Sequence, residues 1–338
     1  MDGFSEIKKT DIIKEVSAQE KIRPLNFENY IGQKHLKEHL LVLIESSQIR
    51  KKSLAHTLLF GQPGLGKTTL ATIIANELGK NIVYTSAPAI EKTADLAGLL
   101  LNLNDGDVLF IDEIHGLKTQ TEEMLYPAME DRLIDITIPS ARENKVVRLP
   151  LKNFTLIGAT TRPGKLSAPL RDRFTVQLQL QYYDVEELKE IVKRTANILN
   201  LTIDDAAAQE IAQRSRGTAR IANNLLSISG DYAIVKNNCH ITVHIAETAM
   251  NVLKIDELGL DQIDRKVIFA LYSLYKNKPT GIKSLATSIQ EESDTVEGMI
   301  EPYLLQKNLI IKTERGRMLT DTGIIYAQKL VSSGFYID

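Results

Sequence analysis

Residues 61–68 read Gly-Gln-Pro-Gly-Leu-Gly-Lys-Thr and fit the phosphate-loop pattern G-x-x-x-x-G-K-[ST]. Each position in that pattern has a chemical task. Gly61, Gly64 and Gly66 let backbone N–H groups turn onto phosphate oxygens, and a helix opening at the end of the loop adds its positive dipole. Lys67 is predicted to reach the β- and γ-phosphates, and Thr68 to offer its hydroxyl to Mg²⁺. Further on, Asp107 to Glu113 read as an apolar strand ending in two carboxylates. Asp112 suits Mg²⁺ coordination through water, and Glu113 suits orienting or deprotonating an attacking water. Alone, such a pair reads as a surface turn; about 45 residues after a phosphate loop it reads as the second half of a nucleotide-hydrolysis site.

Other candidates have two readings. Thr160 and Thr161 end the next apolar run, where a hydroxyl can bond the γ-phosphate or the water, or merely cap a helix. Arg171 and Arg173 flank Asp172, which describes a surface ion pair or an arginine offered to a neighbouring subunit's nucleotide; spacing does not choose between them. His115 reads as structural, because Glu113 already fills the role of base. The six histidines have no metal-ligand spacing, and Cys239 reads as a packed or idle thiol. Tyr182-Tyr183 reads by default as strand-end core.

The elements that must position these groups follow from periodicity. Residues 56–60 predict a buried strand before the loop, and Thr69 to Leu78 a helix after it. Further strands are predicted at 81–84, 107–111, 154–158 and 175–178, alternating with amphipathic segments, the pattern of an α/β fold with a parallel sheet flanked by helices. Leu133 to Ile138 and Lys145 to Leu149 predict a hairpin, with Pro139-Ser140 opening its turn. Strand patterning then stops. Asp184 and Glu187 predict a capping box, and helical periodicity runs to about Lys254 with a break at Gly217. Residues 255–259 read as a linker. Three short helices (261–275, 282–289, 294–306) and a ribbon, 309–312 with 317–320, then predict a winged-helix module. The expected organisation is a polar tail at 1–20, a large nucleotide domain at 21–183, a helical lid at 184–255 and a winged helix at 256–338.

Composition excludes several classes. Over 338 residues, 43% apolar and 25% charged content are those of an ordinary water-soluble protein. A net charge of −2 restricts any nucleic-acid contact to a local patch. One such patch is the ribbon, where Lys307, Lys312, Arg315 and Arg317 stand against Glu314 alone. A single cysteine leaves no disulfide framework and fits a reduced, cytosolic setting. Residues 1–20 lack the apolar run of a signal peptide, and no stretch is long enough to cross a bilayer.

Specific blocks carry a resemblance. They include Arg23-Pro24-Leu25 with Tyr30 to Gln33, the loop 61–69, Thr85 to Lys92, Leu109 to His115, Leu125-Tyr126-Pro127-Ala128-Met129-Glu130-Asp131 and Thr155 to Arg162. Pro169 to Phe174, Arg214 to Asn223, Asp256 to Asp261, Glu301 to Leu305 and Arg315-Gly316-Arg317 continue the series. In this order they resemble the RuvB family of AAA+ ATPases, bacterial motors of Holliday-junction branch migration, from about residue 21 to residue 320. The resemblance implies a P-loop AAA+ three-layer sandwich, a helical lid and a C-terminal winged helix. It implies ATP and Mg²⁺, with Ile22 and Arg23 flanking the adenine and Gly64, Gly66, Lys67, Thr68 and Thr69 along the phosphates. Asp112 and Glu113 become the Walker B pair, Thr161 the sensor-1 residue, Arg220 the sensor-2 arginine and Arg173 the finger given to the adjacent subunit. Glu130, Asp131, Arg132 and Tyr183 fall at nucleotide-contacting positions, and Lys312 and Arg317, with Arg315, where the family meets DNA. The implied setting is a homo-oligomeric ring, a hexamer, in the bacterial cytoplasm. It acts on four-way junctions and flanking duplex in recombination, repair and the SOS response, with a RuvA junction binder docked on hairpin 133–150 and a RuvC resolvase. A loader or initiator that uses nucleotide as a binding switch remains the alternative, since the same parts serve it.

There are departures from the family pattern. Gln62 replaces a usual proline, Gly116 a usual arginine, and Ala219 a proline ahead of Arg220, which loosens the first turn of that helix. The segment 139–144 lacks a glycine-rich hairpin tip, which weakens the expectation of RuvA docking there.

Overall fold

The computed structural model describes residues 21–138 and 145–336. The expected polar tail and the hairpin tip at 139–144 lie outside the described residues. The chain divides into two compact units: one runs to Asn200 and takes back Gly217–Asn223, and the other holds Leu201–Arg216 and everything described from Asn224 onward.

The first unit is built on a five-stranded parallel sheet. In chain order its elements are α1 (Lys34–Arg50), β1 (Thr57–Phe60), α2 (Lys67–Glu77), β2 (Ile82–Ser86), α3 (Thr93–Leu101), β3 (Val108–Asp112) and α4 (Thr119–Glu130). The hairpin β4 (Leu133–Ile138) and β5 (Lys145–Pro150) comes next, then β6 (Thr155–Thr160), α5 (Ala168–Asp172), β7 (Val176–Gln179) and α6 (Val185–Ile198). The sheet order is β2-β3-β6-β1-β7. From β1 the chain leaps to the far edge and then steps back, so right-handed crossovers put α2 on one face and α3, α4 and α5 on the other. The packing agrees: α1 lies on α2, while α3 meets α4 and α4 meets α5. Three layers result.

The β-branched and aromatic runs form strands because both faces of the sheet are covered. Leu58, Leu109, Phe110, Ile111, Leu156 and Phe154 are almost wholly buried, and each such side chain contributes about 1.5–3 kcal/mol. Entry to α6 is set by the predicted capping box: Asp184 accepts from Glu187 N–H at 2.7 Å, and Glu187 accepts from Asp184 N–H at 3.1 Å.

In the second unit, α7 (Asp205–Gln213) packs on α9 (Val243–Val252), and most of α8 (Ala219–Lys236) belongs here. A two-residue parallel pairing, β8 (Thr202–Ile203) with β9 (His240–Ile241), interrupts a stretch predicted to be helical throughout. The C-terminal part has α10 (Gln262–Phe269) running into a π-helical turn (Ala270–Leu274), then α11 (Ile282–Ser288). After α12 (Ser293–Thr295) a second π turn (Val296–Ile300) leads into α13 (Glu301–Gln306). The antiparallel ribbon β10 (Ile310–Thr313) and β11 (Gly316–Leu319) follows, and Thr280 bridges to Arg317 as a third edge. Helix α14 (Asp321–Ser332), for which the sequence reading had no element, closes a core of Leu271, Leu285, Val296, Leu304, Ile310 and Ala327. This is the winged helix.

Candidate nucleotide site and basic wing

Parallel pairing brings the ends of three strands together. Phe60 stands beside Thr160, and Ile111 beside Gly158, so the phosphate loop, Asp112-Glu113 and Thr160-Thr161 leave one edge of the sheet side by side. That edge, beyond the carboxyl ends of the strands, is where open α/β sheets bind ligands. Gly61 N–H donates to Thr160 carbonyl at 3.3 Å and anchors the loop to it. Gly64 and Gly66 sit at φ 82° and 95°, backbone that side-chain-bearing residues rarely adopt. A Cβ on Gly64 would also stand 3.0 Å from the Cβ of Arg220.

Gly66 caps α2 with no side chain, so Lys67, Thr68 and Thr69 form the first helical turn with N–H groups free of intrahelical partners. Lys67 is buried, and among the described residues its Nζ donates only to carbonyls, Gly61 at 2.8 Å and Gln62 at 3.1 Å. Burial pulls its ammonium below the usual lysine range, while the nearby Glu113 and Asp112 carboxylates oppose that shift.

Glu113 has a left-handed backbone (φ 48°), which turns its side chain toward the end of β6. Its carboxylate accepts from Thr161 Oγ1 at 3.0 Å and from Thr161 N–H at 3.2 Å. His115 Nδ1 lies 3.1 Å from the same carboxylate and 2.9 Å from Thr160 Oγ1. Burial lowers the pKa of this imidazole despite Glu113. Asp112 accepts from Glu113 N–H at 3.0 Å. Thr68 and Asp112 together offer hard oxygens in small number, a donor set that fits Mg²⁺, which keeps most of its water shell.

Beside the loop a cavity is lined by Ile22, Arg23, Tyr30, Gly66, Thr69, Tyr183, Arg194 and Asn223, among others. Tyr183 is buried and donates to Leu65 carbonyl at 3.2 Å and to Tyr30 hydroxyl at 3.3 Å, so it braces the loop from behind. Arg220 N–H donates to Gly64 carbonyl at 3.3 Å, which brings the first turn of α8 against the loop. Arg194 Nη1 donates to Ile22 carbonyl at 2.8 Å, and Thr195 Oγ1 donates to Asn223 Oδ1 at 2.9 Å. The sequence reading missed Ile191, Arg194, Thr195 and Asn223. The i, i+3, i+4 spacing of 191, 194 and 195 on one face of α6 is the signal that points to them.

Four expected nucleotide residues do not reach this cradle. Glu130 and Asp131 end α4, and Arg173 precedes β7, so all lie toward the starting ends of the strands. Arg173 Nη2 pairs with Glu130 at 3.2 Å, not with Asp172, and its guanidinium lies 4.2 Å over the Tyr126 ring. Arg132 also lies away from this cradle. Its guanidinium lies 4.7 Å over Phe154 and 2.8 Å from His56 Nε2, beside the starts of β6 and β1.

On the wing, Lys312 and Arg317, expected where the family meets DNA, both pair with acids from the preceding helical run. Arg317 is 7% exposed and binds Glu301 through Nε and, at 3.1 Å, through Nη2, with Glu297 a further 3.3 Å away. Glu301 is itself 2% exposed. Lys312, half exposed, pairs with Glu297 at 2.8 Å. Of the three expected DNA residues, Arg315 alone is exposed without a charged partner among the described residues.

Comparison with known proteins covers this whole arrangement. A model of the Holliday junction DNA helicase RuvB P-loop domain matches residues 22–180, the RuvB AAA lid domain 183–256, and the RuvB C-terminal winged helix domain 257–328. The RuvB subunit of the Holliday junction branch migration complex of Clostridium kluyveri is 51% identical over 308 residues, 91% of this chain and 88% of its own length. The solved structure of the Thermotoga maritima RuvB Holliday junction branch migration motor superposes with a TM-score of 0.82 at 44% identity, covering 91% of this chain and 98% of that one. A mutant form of the same Thermotoga protein gives 0.83 at 45% identity, with the same coverage of each chain. Three family domains laid end to end on one chain, at that identity, leave one assignment: the chain belongs to the RuvB family of P-loop AAA+ ATPases.

Proposed function

We propose that this chain is an ATP-driven motor that moves duplex DNA and so drives Holliday-junction branch migration in recombination and repair. One observation carries the reading: Glu113, just past the end of β3, accepts a hydrogen bond from Thr161 Oγ1 and lies near the Lys67 charge. That is a general base with its orienting partner already in place. Lys67, tied only to carbonyls, exchanges those contacts for β- and γ-phosphate oxygens. Thr68 and Asp112 would hold Mg²⁺, which would supply charge neutralisation at the phosphates. Thr69 and the α2 N–H groups complete the phosphate contacts. The adenine fits the cavity of Ile22, Arg23, Tyr183, Arg194 and Asn223, and Arg220 reports the nucleotide to the lid.

Arg173 and Glu130 to Arg132 lie at the opposite edge of the sheet from their own cradle. A second copy supplies that edge, so hydrolysis needs a ring, in this reading a hexamer. Arg173 leaves Glu130 to meet the neighbour's γ-phosphate. The working division is an ATPase domain at 21–183, a lid at 184–255 and a winged-helix head at 256–338. The ring acts on four-way junctions with a RuvA-like protein at hairpin 133–150 and a RuvC-like resolvase, in the bacterial cytoplasm and within the DNA-damage (SOS) response. No described helix is long and apolar enough to cross a membrane. The discriminating experiment is steady-state ATPase on preformed junctions: continuous DNA-stimulated turnover supports the motor, whereas a single ATP cycle per DNA-binding event is the behaviour of a loader.

A further inference from the structure

The segment 255–259, expected to be a linker, is pinned along its length. Asp256 Oδ1 accepts from Leu258 N–H at 2.9 Å and from Leu260 N–H at 2.8 Å, and its other oxygen accepts from the Tyr326 hydroxyl. The Tyr303 hydroxyl donates to Leu258 carbonyl. Arg214, just past α7, donates to Ile255 carbonyl at 3.4 Å, and a Cβ on Gly259 would stand 2.7 Å from the Arg214 carbonyl oxygen. Helix α7 of the lid and the winged helix therefore share one clasp within a single compact unit.

Arg216 is the centre of that clasp. Its Nε donates to Gly259 carbonyl at 2.9 Å, and its Nη2 donates to Asp261 at 3.0 Å and to Asp264. Its guanidinium lies 5.0 Å over the Tyr303 ring. Asp264, in the first turn of α10, is wholly buried. One of its oxygens takes Arg216 and the Asp261 N–H, and the other has no partner among the described residues. Burial pushes this carboxyl up to about 7 against the pull of Arg216. Arg216 takes left-handed backbone at φ 53°, followed by Gly217 at φ 70°. A side-chain-bearing residue in that conformation is costly unless its contacts hold it. The residues that follow belong to the other unit. There, Gly217 carbonyl accepts from Tyr183 N–H at 2.9 Å, and Arg220 N–H donates to Gly64 in the phosphate loop. One peptide bond thus separates the residue that grips α10 from the segment that touches the loop.

We infer that Arg216 is a positioning residue for the motor: it locks the winged helix to the lid, so that a displacement of 217–223 at the nucleotide is delivered to the head and not absorbed at 255–259. The inference rests on the DNA-motor reading above and names the residue through which hydrolysis is coupled to movement. Delivery by a rigid body needs a joint that does not yield. A forked guanidinium set on two carboxylates, a carbonyl and an aromatic ring is such a joint.

The test compares the full chain with Arg216→Met on a synthetic four-way junction with a RuvA partner, reading base pairs migrated per ATP hydrolysed. Arg216→Met is expected to keep the parent's nucleotide affinity and its ATPase rate without DNA, and to migrate about tenfold fewer base pairs per ATP. Arg216→Lys, which keeps the charge but not the fork, is expected to fall between the two. Without Arg216 the Asp264 carboxyl takes up a proton, so no buried charge is stranded. If Arg216→Met still melts well below the parent, Arg216→Met/Asp264→Asn takes its place with the same expectation. An equally unstable double variant, or a variant whose migration and ATPase fall together, makes Arg216 a strut and overturns the inference. A variant with the parent's ratio overturns it too, and leaves the motor reading intact. A parent that consumes ATP without migrating the junction overturns the motor reading itself.

Discussion

Lys67 and Arg317 are both buried cations, yet their partners differ in kind. Lys67 rests on two backbone carbonyls, neutral acceptors that a phosphate oxygen outcompetes. Arg317 is clasped through two nitrogens by Glu301, a carboxylate that is itself buried. Breaking such a pair strands a charge away from water, so Arg317 stays where it is. The first cation is available to a ligand; the second fixes the ribbon to the helix beneath it. Burial alone does not separate a site residue from a strut. The charge of the partner does.

The comparison is most sharply tested at the subunit edge. Arg173→Ala is expected to lower turnover by ~10³–10⁵ while leaving ATP binding intact, the effect of losing a finger supplied by a neighbour. Mixing it with Lys67→Ala subunits, which bind no nucleotide, is expected to restore activity at interfaces where intact halves meet. Near-normal ATPase in Arg173→Ala would return that residue to an ion pair with Glu130. Next in size, Glu113→Gln should bind ATP normally and hydrolyse it ~10²–10⁴ slower, because an amide accepts no proton from water; nucleotide titration and phosphate release read the two separately.

At the wing, Glu301→Ala is expected to destabilise the fold by about 3–5 kcal/mol, seen as a lower midpoint in urea. Lys312→Gln breaks an exposed pair and should cost under ~1 kcal/mol. Equal costs would erase the distinction between strut and rim. A pH dependence is also expected at His56. Burial first, and then the Arg132 charge, push its pKa down to about 4. The unfolded chain takes up this proton near pH 6.5, so stability is full above that value and falls as pH drops toward 4. Melting temperatures of parent and His56→Gln across that window should converge as the pH falls.

What was legible in the sequence was local. The phosphate loop, the strand-end carboxylates, the capping box of Asp184 and Glu187 and the hairpin strands all depend on residues within a few positions of one another. The five predicted strands appear within two residues of their places for the same reason. Contacts between distant segments were not legible. The ribbon window contains one acid, Glu314, but the acids that hold Lys312 and Arg317 come from positions 297 and 301. Arg132 follows two acids in a nucleotide-contacting block, yet a left-handed backbone (φ 57°) swings it onto Phe154. Two-residue β8 and β9 are too short to show a period, and α14 lies beyond the last pattern that the ribbon suggested. The cavity residues Arg194 and Asn223 sit on helices 29 positions apart and meet only through the fold.

The central claim is that ATP hydrolysis at Glu113 is converted into movement of DNA. Its most direct test is branch migration of a synthetic four-way junction by the full chain with a RuvA partner, comparing the parent with Glu113→Gln at saturating ATP. The account predicts that the parent resolves the junction into duplex products only when ATP is present, and that Glu113→Gln binds ATP and junction but yields none. Products formed by Glu113→Gln at the parent's rate, or by the parent without ATP, would contradict it.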